Sequence, residues 1–283
     1  KTITAINCLL NEYLEEGVYR AIVLVPSKPL LNQWNDEVRK FNFRNVYRVS
    51  SEYKWRPDID RLNTGLAFDT DQSFIIISTY QTFSDEDFQK RITNFPTTTL
   101  FIADEAHNIG SNRMKGVLPK LRFEKRIALS ATPKRRFDEE GNSLIEDFFN
   151  SSEPYTYAFS MEKAIIEGIL STYDYFPHKV YLNDSEMENY AEISRKLQRM
   201  FDSKTENFRN AEAAKMLLLE RRRIIHKAAN KLGVFTSIVR NLGQERGNLD
   251  YSFVYVPEGE DSEGENLLDI YMESLEASMP GIK

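Results

Sequence analysis

Apolar residues in the first half of the chain fall into short continuous runs, separated by longer stretches in which they recur every three or four positions. The runs are Ala21–Val25, Phe74–Ile77, Thr99–Ala103 and Arg126–Leu129, each closed by polar residues. Runs of this kind mark strands buried on both faces. Between them, Ile3–Leu14 carries helical spacing and meets a stop at Gly17, while Leu30, Leu31, Trp34, Val38 and Phe41 step by threes and fours. That spacing assigns Trp34 to a core rather than to base stacking. Strand-like runs alternating with amphipathic stretches predict a parallel sheet with helices on both faces over residues 1 to about 135. Arg48–Thr70 is polar and turn-rich, with Trp55-Arg56-Pro57 and Asp58-Ile59-Asp60, and reads as a surface connection.

The pattern changes after residue 183. Asp184 or Ser185 with Glu188 forms a candidate cap, followed by Tyr190, Ile193, Leu197, Met200 and Phe201 at helical spacing. A second helix is expected from about Asn210. It carries Arg221-Arg222-Arg223, with His226, Lys227 and Lys231 beyond. Two readings stand for that basic run: a nucleic-acid contact, or the commoner solvated helix face paired with Glu212 and Glu220.

Candidate chemistry sits at the end of the third apolar run, in Asp104-Glu105-Ala106-His107. Ligands of open α/β sheets bind beyond the carboxyl ends of the strands, so two acidic residues there have work available. Asp104 could hold a hydrated Mg²⁺ on a nucleotide, and Glu105 could orient or deprotonate the attacking water. The alternative is an acidic pair that only caps the following turn. Lys1-Thr2 opens its helix as a phosphate loop ends, with a lysine for the β/γ-phosphates and a hydroxyl for Mg²⁺. The glycines of such a loop are expected before Lys1, in a longer protein cut inside its nucleotide loop.

Further segments follow in a fixed order. Ala21–Glu37 runs from a strand through Pro26-Ser27 into a helix with Gln33-Trp34; Phe74–Phe83 contains Ser78-Thr79-Tyr80; Arg126–Pro133 contains Ser130-Ala131-Thr132. Together with Lys1-Thr2 and the Asp-Glu-Ala-His run, these resemble the motifs of superfamily 2 helicases and translocases. Phe148-Phe149, Ala164–Leu170 and Tyr173-Asp174-Tyr175 narrow the resemblance to the branch of type III restriction subunits and XPB-like translocases. Asn150 stands where that branch often has Gly. Tyr251–Gly259 is similar to the first strand and loop of a second motor domain, and the motifs that complete that domain are expected after Lys283.

The resemblance implies a RecA-like, doubly wound α/β fold. It divides the chain into a nearly complete first motor domain, 1–172, and the start of a second, 173–283, with a helical segment at about 184–246. ATP and Mg²⁺ are the implied cofactors, held by Lys1, Thr2 and Asp104, with Thr2 and Asp104 on the metal. Glu105 would be the base, and His107 would link hydrolysis to motion through Ser130 and Thr132. Pro26, Ser27, Ser78, Thr79 and Tyr80 would grip a sugar-phosphate backbone, a contact without sequence information. Double-stranded DNA is the implied track, ahead of RNA. The alternatives are the ATPase of a restriction or phage-defence complex working with a nuclease or repair subunit, an RNA helicase, or a nucleotide-gated DNA clamp. The chain by itself is expected to hydrolyse ATP poorly.

Composition narrows this only a little. The chain has 283 residues, a formal net charge of -6 and one cysteine, Cys8, which excludes an internal disulfide framework and fits a cytoplasmic, or in a eukaryote nuclear, protein. Nothing approaches the roughly 18 apolar residues of a membrane span. Arg135 or Arg136, just after Thr132, could reach phosphate or a neighbouring domain, or be plain surface charge.

Overall fold

The computed structural model describes residues 1–68, 72–135, 138–202, 207–261 and 264–278. The chain divides into two units, Lys1–Glu167 and Gly168–Lys283. The first unit runs α1 (Thr2–Glu16), β1 (Arg20–Val25), α2 (Lys28–Lys40), β2 (Val46–Val49), α3 (Arg56–Phe68), β3 (Phe74–Thr79), α4 (Tyr80–Phe83) and α5 (Glu86–Ile92). It continues with β4 (Leu100–Asp104), a 3₁₀ turn (Ala106–Gly110), α6 (Asn112–Lys115), β5 (Arg126–Leu129), α7 (Glu139–Phe149) and α8 (Met161–Ile166). The strands form one sheet in the order β2-β3-β1-β4-β5, every pair parallel. This is the parallel sheet with flanking helices that the alternating pattern predicts, and the RecA-like α/β arrangement that the resemblance implies.

Period-two alternation sorts each strand between two cores. Ile22, Leu24, Phe74, Ile76, Phe101 and Ala103 face one, with Ile59 and Leu62 of α3, Phe88 and Ile92 of α5, and Ile145 and Phe148 of α7. Ala21, Val23, Val25, Ile75, Ile77, Leu100 and Ile102 face the other, under Ala5, Ile6 and Leu9 of α1 and Leu31, Trp34 and Val38 of α2. With both faces covered, both alternate sets must be apolar, which is why the strands read as unbroken runs.

Helix α1 ends at Gly17, whose φ of 75° is left-handed and whose N–H donates to the Tyr13 carbonyl at 2.9 Å. Lys125, just before β5, pairs with Glu12 and Glu16 near that end. Hydrogen bonds donated to Glu12 and then to Glu16 hold its ammonium above the usual lysine range. A cation at a helix carboxyl end also opposes the macrodipole. The carboxyl end of α1 is thereby tied to the segment before β5, while Ala5, Ile6 and Leu9 are buried along the helix.

Arg48–Thr70 is not a surface connection. Within it the end of β2 joins the sheet, Trp55 is buried, and α3 buries Ile59 and Leu62; Thr70 lies outside the described residues. The polar side chains that suggested a loop form the outer face, where Arg56 and Arg91 reach Asp87 and Arg91 also reaches Asp60.

The second unit contains α9 (Asp184–Met200), a hairpin of β6 (Phe201–Asp202) and β7 (Asn207–Phe208), α10 (Ala211–His226), α11 (Asn230–Arg246) and α12 (Leu267–Ser278). The cap of α9 lies one residue before the expected ones: Asn183 and Glu186 make a reciprocal capping box. Asn210 caps α10. The arginine run does not pair with Glu212 or Glu220. Arg221 instead lies over the Tyr190 ring and donates to Ser194 Oγ at 3.4 Å, and Arg222 donates to His226 Nε2 at 3.2 Å. Tyr251–Val256 forms no strand, in contrast to the expected first strand of a second sheet. Tyr251, Phe253 and Tyr255 are almost fully exposed.

Phe101 sits at the centre of the first core, in ring contact with Phe83, Phe123 and Phe148. Phe101→Ala is expected to lower stability by about 3–5 kcal/mol in urea denaturation, whereas Phe253→Ala, at an exposed ring, should change it by less than about 0.5 kcal/mol.

Candidate nucleotide site

Parallel strands end on one edge, so the carboxyl ends of β1, β3, β4 and β5 bring Pro26-Ser27, Tyr80, Asp104-Glu105 and Ser130 to the same side of the sheet. The strand order changes direction between β1 and β4, and a crevice opens at such a switch point. Lys1 reaches this place from the start of α1. Its Nζ lies 2.8 Å from Glu105 Oε1, although 104 residues separate the two.

Asp104 is the last residue of β4 and is 6 % exposed. A buried carboxylate needs hydrogen bonds. Oδ2 accepts from the indole Nε1–H of Trp34 at 2.8 Å, and Oδ1 accepts from the Glu105 N–H at 3.0 Å. The Tyr80 hydroxyl donates to the Asp104 carbonyl at 2.9 Å. Burial first, then the nearby Asp104 and Glu105 charges, holds the Tyr80 phenol well above its ordinary value. Tyr80 is therefore a neutral donor throughout the working pH range.

Glu105 adopts the left-handed conformation, φ 48° and ψ 57°, which costs a residue with a Cβ about 1–2 kcal/mol. Asn108 holds it there: both its N–H, at 3.0 Å, and its Nδ2, at 2.9 Å, donate to the Glu105 carbonyl. The chain turns sharply after β4, and the Glu105 carboxylate faces Lys1. His107 Nδ1 lies 3.5 Å from Glu105 Oε2, too far for a hydrogen bond, and this buried nitrogen has no other partner.

The structure brings Lys1, Asp104, Glu105 and His107 together, with Thr2 beside Lys1 at the head of α1. The coupling residues are arranged differently. Ser130 Oγ accepts from the Thr132 N–H at 3.1 Å within its own turn, and His107 contacts neither hydroxyl. Arg135 makes the bridge instead: Nη1 donates to the His107 carbonyl at 2.8 Å and Nε to Asp138 at 2.6 Å, while its N–H donates to Asn142. Gly110 permits this seat, because a Cβ there would lie 2.8 Å from the Gly141 carbonyl and 2.7 Å from Arg135 Cδ. Arg135 is thus committed to a structural clasp and is no free phosphate ligand. Arg136 lies outside the described residues.

Three of the five backbone-gripping candidates are buried. Ser78 is fully buried and donates to the Thr79 carbonyl. Thr79 caps α4 through its side chain, and Tyr80 is turned inward to Asp104. Such residues have their polar groups satisfied inside the protein. Pro26 is exposed, and Ser27, at the N-cap of α2, makes no capping bond with its hydroxyl. Trp34 and Asn108 are the partners that sequence reasoning missed as site residues, and Arg135, weighed there as a phosphate contact, bonds the His107 carbonyl instead. The first had a signal, in that its indole N–H would need an acceptor once buried.

Asp104 and its neighbours suit a nucleotide with a divalent cation. Each of its oxygens has one strong donor, which leaves lone pairs for metal-bound water, and Lys1 supplies the positive charge.

The sequence of residues 1–135 matches the family described as type III restriction enzyme, res subunit. No curated protein matches the chain. Among solved structures, it is similar to a nuclease-deletion mutant of the type ISP restriction-modification enzyme LlaGI in complex with a DNA substrate mimic, at 16 % identity and a TM-score of 0.43, over 99 % of this chain and 28 % of that one. It is also similar to the Hef helicase domain of Pyrococcus furiosus, at 17 % identity and a TM-score of 0.44, over 97 % of this chain and 53 % of that one.

Two outcomes follow from the local geometry. Asp138 is held below the usual carboxylate range by Arg135 and then by the Gly141 N–H. Its folded pKa is below its unfolded one, so its contribution is present at neutral pH and lost as pH falls through the folded value. Asp138→Ala should therefore cost about 1 kcal/mol at pH 7, with the difference shrinking in denaturation curves taken below about pH 4. Glu105→Asn should raise stability by roughly 0.5–1 kcal/mol, because Asn tolerates a left-handed backbone; unchanged or lower stability would remove the assignment of strain.

Proposed function

We propose that the chain, whose residues 1–135 match the type III restriction enzyme res-subunit family, carries the ATP site of a DNA translocase. The observation that bears this reading is the meeting of Lys1 Nζ with Glu105 at 2.8 Å, beside a fixed Asp104. These are a phosphate-binding cation, a water-orienting carboxylate and a metal-holding carboxylate at one point of a parallel sheet.

Lys1 and Glu105 neutralise each other when no phosphate is bound. Both side chains are partly exposed, 41 % and 31 %, so the pair contributes only about 0–1 kcal/mol and exchanges readily. On ATP binding, Lys1 turns to the β/γ-phosphate oxygens, and Glu105 Oε1 is released to accept a hydrogen bond from the attacking water. Thr2 and Asp104 would hold Mg²⁺, which supplies charge neutralisation at the phosphates. Asp104 does not move, because Trp34 and the Glu105 amide fix its carboxylate. The Arg135 bond to the His107 carbonyl ties the turn after β5 to this loop. That bond is our candidate for the hydrolysis-linked contact, in place of Ser130 and Thr132.

Double-stranded DNA is the proposed track. Pro26, exposed, and Ser27, half-buried, at the carboxyl end of β1, are the remainder of the backbone-gripping set. The family description favours one further reading, the motor subunit of a restriction complex whose nuclease does the visible cutting.

The test is the ATPase rate of the intact protein with no nucleic acid, double-stranded DNA, single-stranded DNA or structured RNA. Double-stranded DNA is expected to stimulate best, and Glu105→Gln should abolish turnover by about 10²-fold or more while ATP binding persists. Stimulation by RNA alone would replace the DNA reading. Stimulation without displacement of a triplex-forming strand would make the protein a gated clamp.

A further inference from the structure

Trp34 is buried to 1 % exposure on the inner side of α2, where a phenylalanine could also fill apolar space. What sets it apart is the aim of its one polar atom. Nε1–H meets Asp104 Oδ2 at 2.8 Å, while the Glu105 N–H occupies Oδ1. Neither oxygen is left to choose its own orientation. From the other side of the sheet Tyr80 donates to the carbonyl of the same residue at 2.9 Å. Trp34 packs in the core formed with α1 and α2, and Tyr80 packs in the opposite core. Asp104 is therefore held from both faces of the sheet by the elements that begin just after β1 and β3.

We propose that Trp34 is a positioning residue for Asp104. Its indole sets the rotation of the carboxylate, so that the remaining lone pairs point out of the strand end. The consequence for Mg²⁺ rests on the ATPase reading above, whereas the bond itself does not. An indole N–H to carboxylate bond is charge-assisted and directional. Outer partners of this type orient metal-holding groups, and their loss weakens metal use about ten- to a hundred-fold.

The bond is tested first, in nucleotide-free protein labelled with ¹⁵N. The chain has two tryptophans, and Trp55, edge-on to Phe88 at 5.3 Å, provides an internal reference. The Trp34 indole signal should lie downfield and exchange slowly with solvent, and Asp104→Asn should shift it upfield while the Trp55 signal stays in place. Indifference of the Trp34 signal to Asp104→Asn overturns the proposal. The second arm measures the Mg²⁺ concentration needed for half-maximal binding of a fluorescent ATP analogue. Trp34→Phe should raise it about ten- to a hundred-fold, with metal-free binding unchanged; a wild-type Mg²⁺ requirement also overturns the proposal. Benzothienylalanine at position 34, which keeps the shape and lacks the donor, gives the same readout if Trp34→Phe does not fold. Failure of the unmodified protein to bind the analogue would remove the ATPase reading alone, and the indole signal would still decide the bond.

Discussion

A carboxylate at the end of a strand buried on both faces must be hydrogen-bonded or neutral, and Asp104 meets that constraint with the Trp34 indole and the Glu105 amide. Much of the site follows from this. The indole can reach β4 only if α2 packs its inner stripe on the β1 side, which the three- and four-residue spacing of Leu31, Trp34 and Val38 ensures. The amide can reach Oδ1 only if the chain turns at once after Asp104, and that turn puts Glu105 in the left-handed region. The strain at Glu105 and the order at Asp104 are thus two sides of one arrangement. Asn108, with two donors on the Glu105 carbonyl, stabilises the strained half.

How much of this was legible in the sequence depended on how far each feature is set by local pattern. The doubly covered strands were legible because burial on both faces leaves no polar alternation to confuse. Helix α3 was not, because its inner stripe is short, Ile59 and Leu62 with Leu66 partly buried, and Arg56, Asp58, Asp60 and Arg61 surround it. Asp104, Glu105 and Lys1 were legible as residue types at strand and helix ends. The inward turn of Ser78, Thr79 and Tyr80 was not: nothing local distinguishes a hydroxyl bonded inside the protein from one offered to a ligand. The Arg135 clasp was hidden for a similar reason, since it depends on the close approach of Gly110 to Gly141. In sequence, a basic run after a turn looks the same whether or not a carbonyl lies in reach. Asn150, by contrast, stands where the resemblance leads one to expect glycine, and its backbone is left-handed. It caps α7 at φ 48°, a conformation that asparagine tolerates better than most residues.

Asp104 and Glu105 are neighbours in sequence, yet their surroundings differ in the way that the two proposed roles require. Asp104 is buried, with donors on both carboxylate oxygens and on its carbonyl, so its position is determined by the core on each side of the sheet. Glu105 is about one-third exposed at its side chain and is held only by an ion pair with Lys1, of the kind that water screens and a competing anion displaces. A group that must keep a metal in register benefits from the first environment, because any rotation of the carboxylate would move its ligand. A group that must turn to a water molecule after substrate arrives benefits from the second. Adjacent carboxylates with divergent environments are the expected mark of divided acid-base and binding roles. Here the division arises from one local event, the left-handed turn that ends β4 and sends the two side chains in different directions.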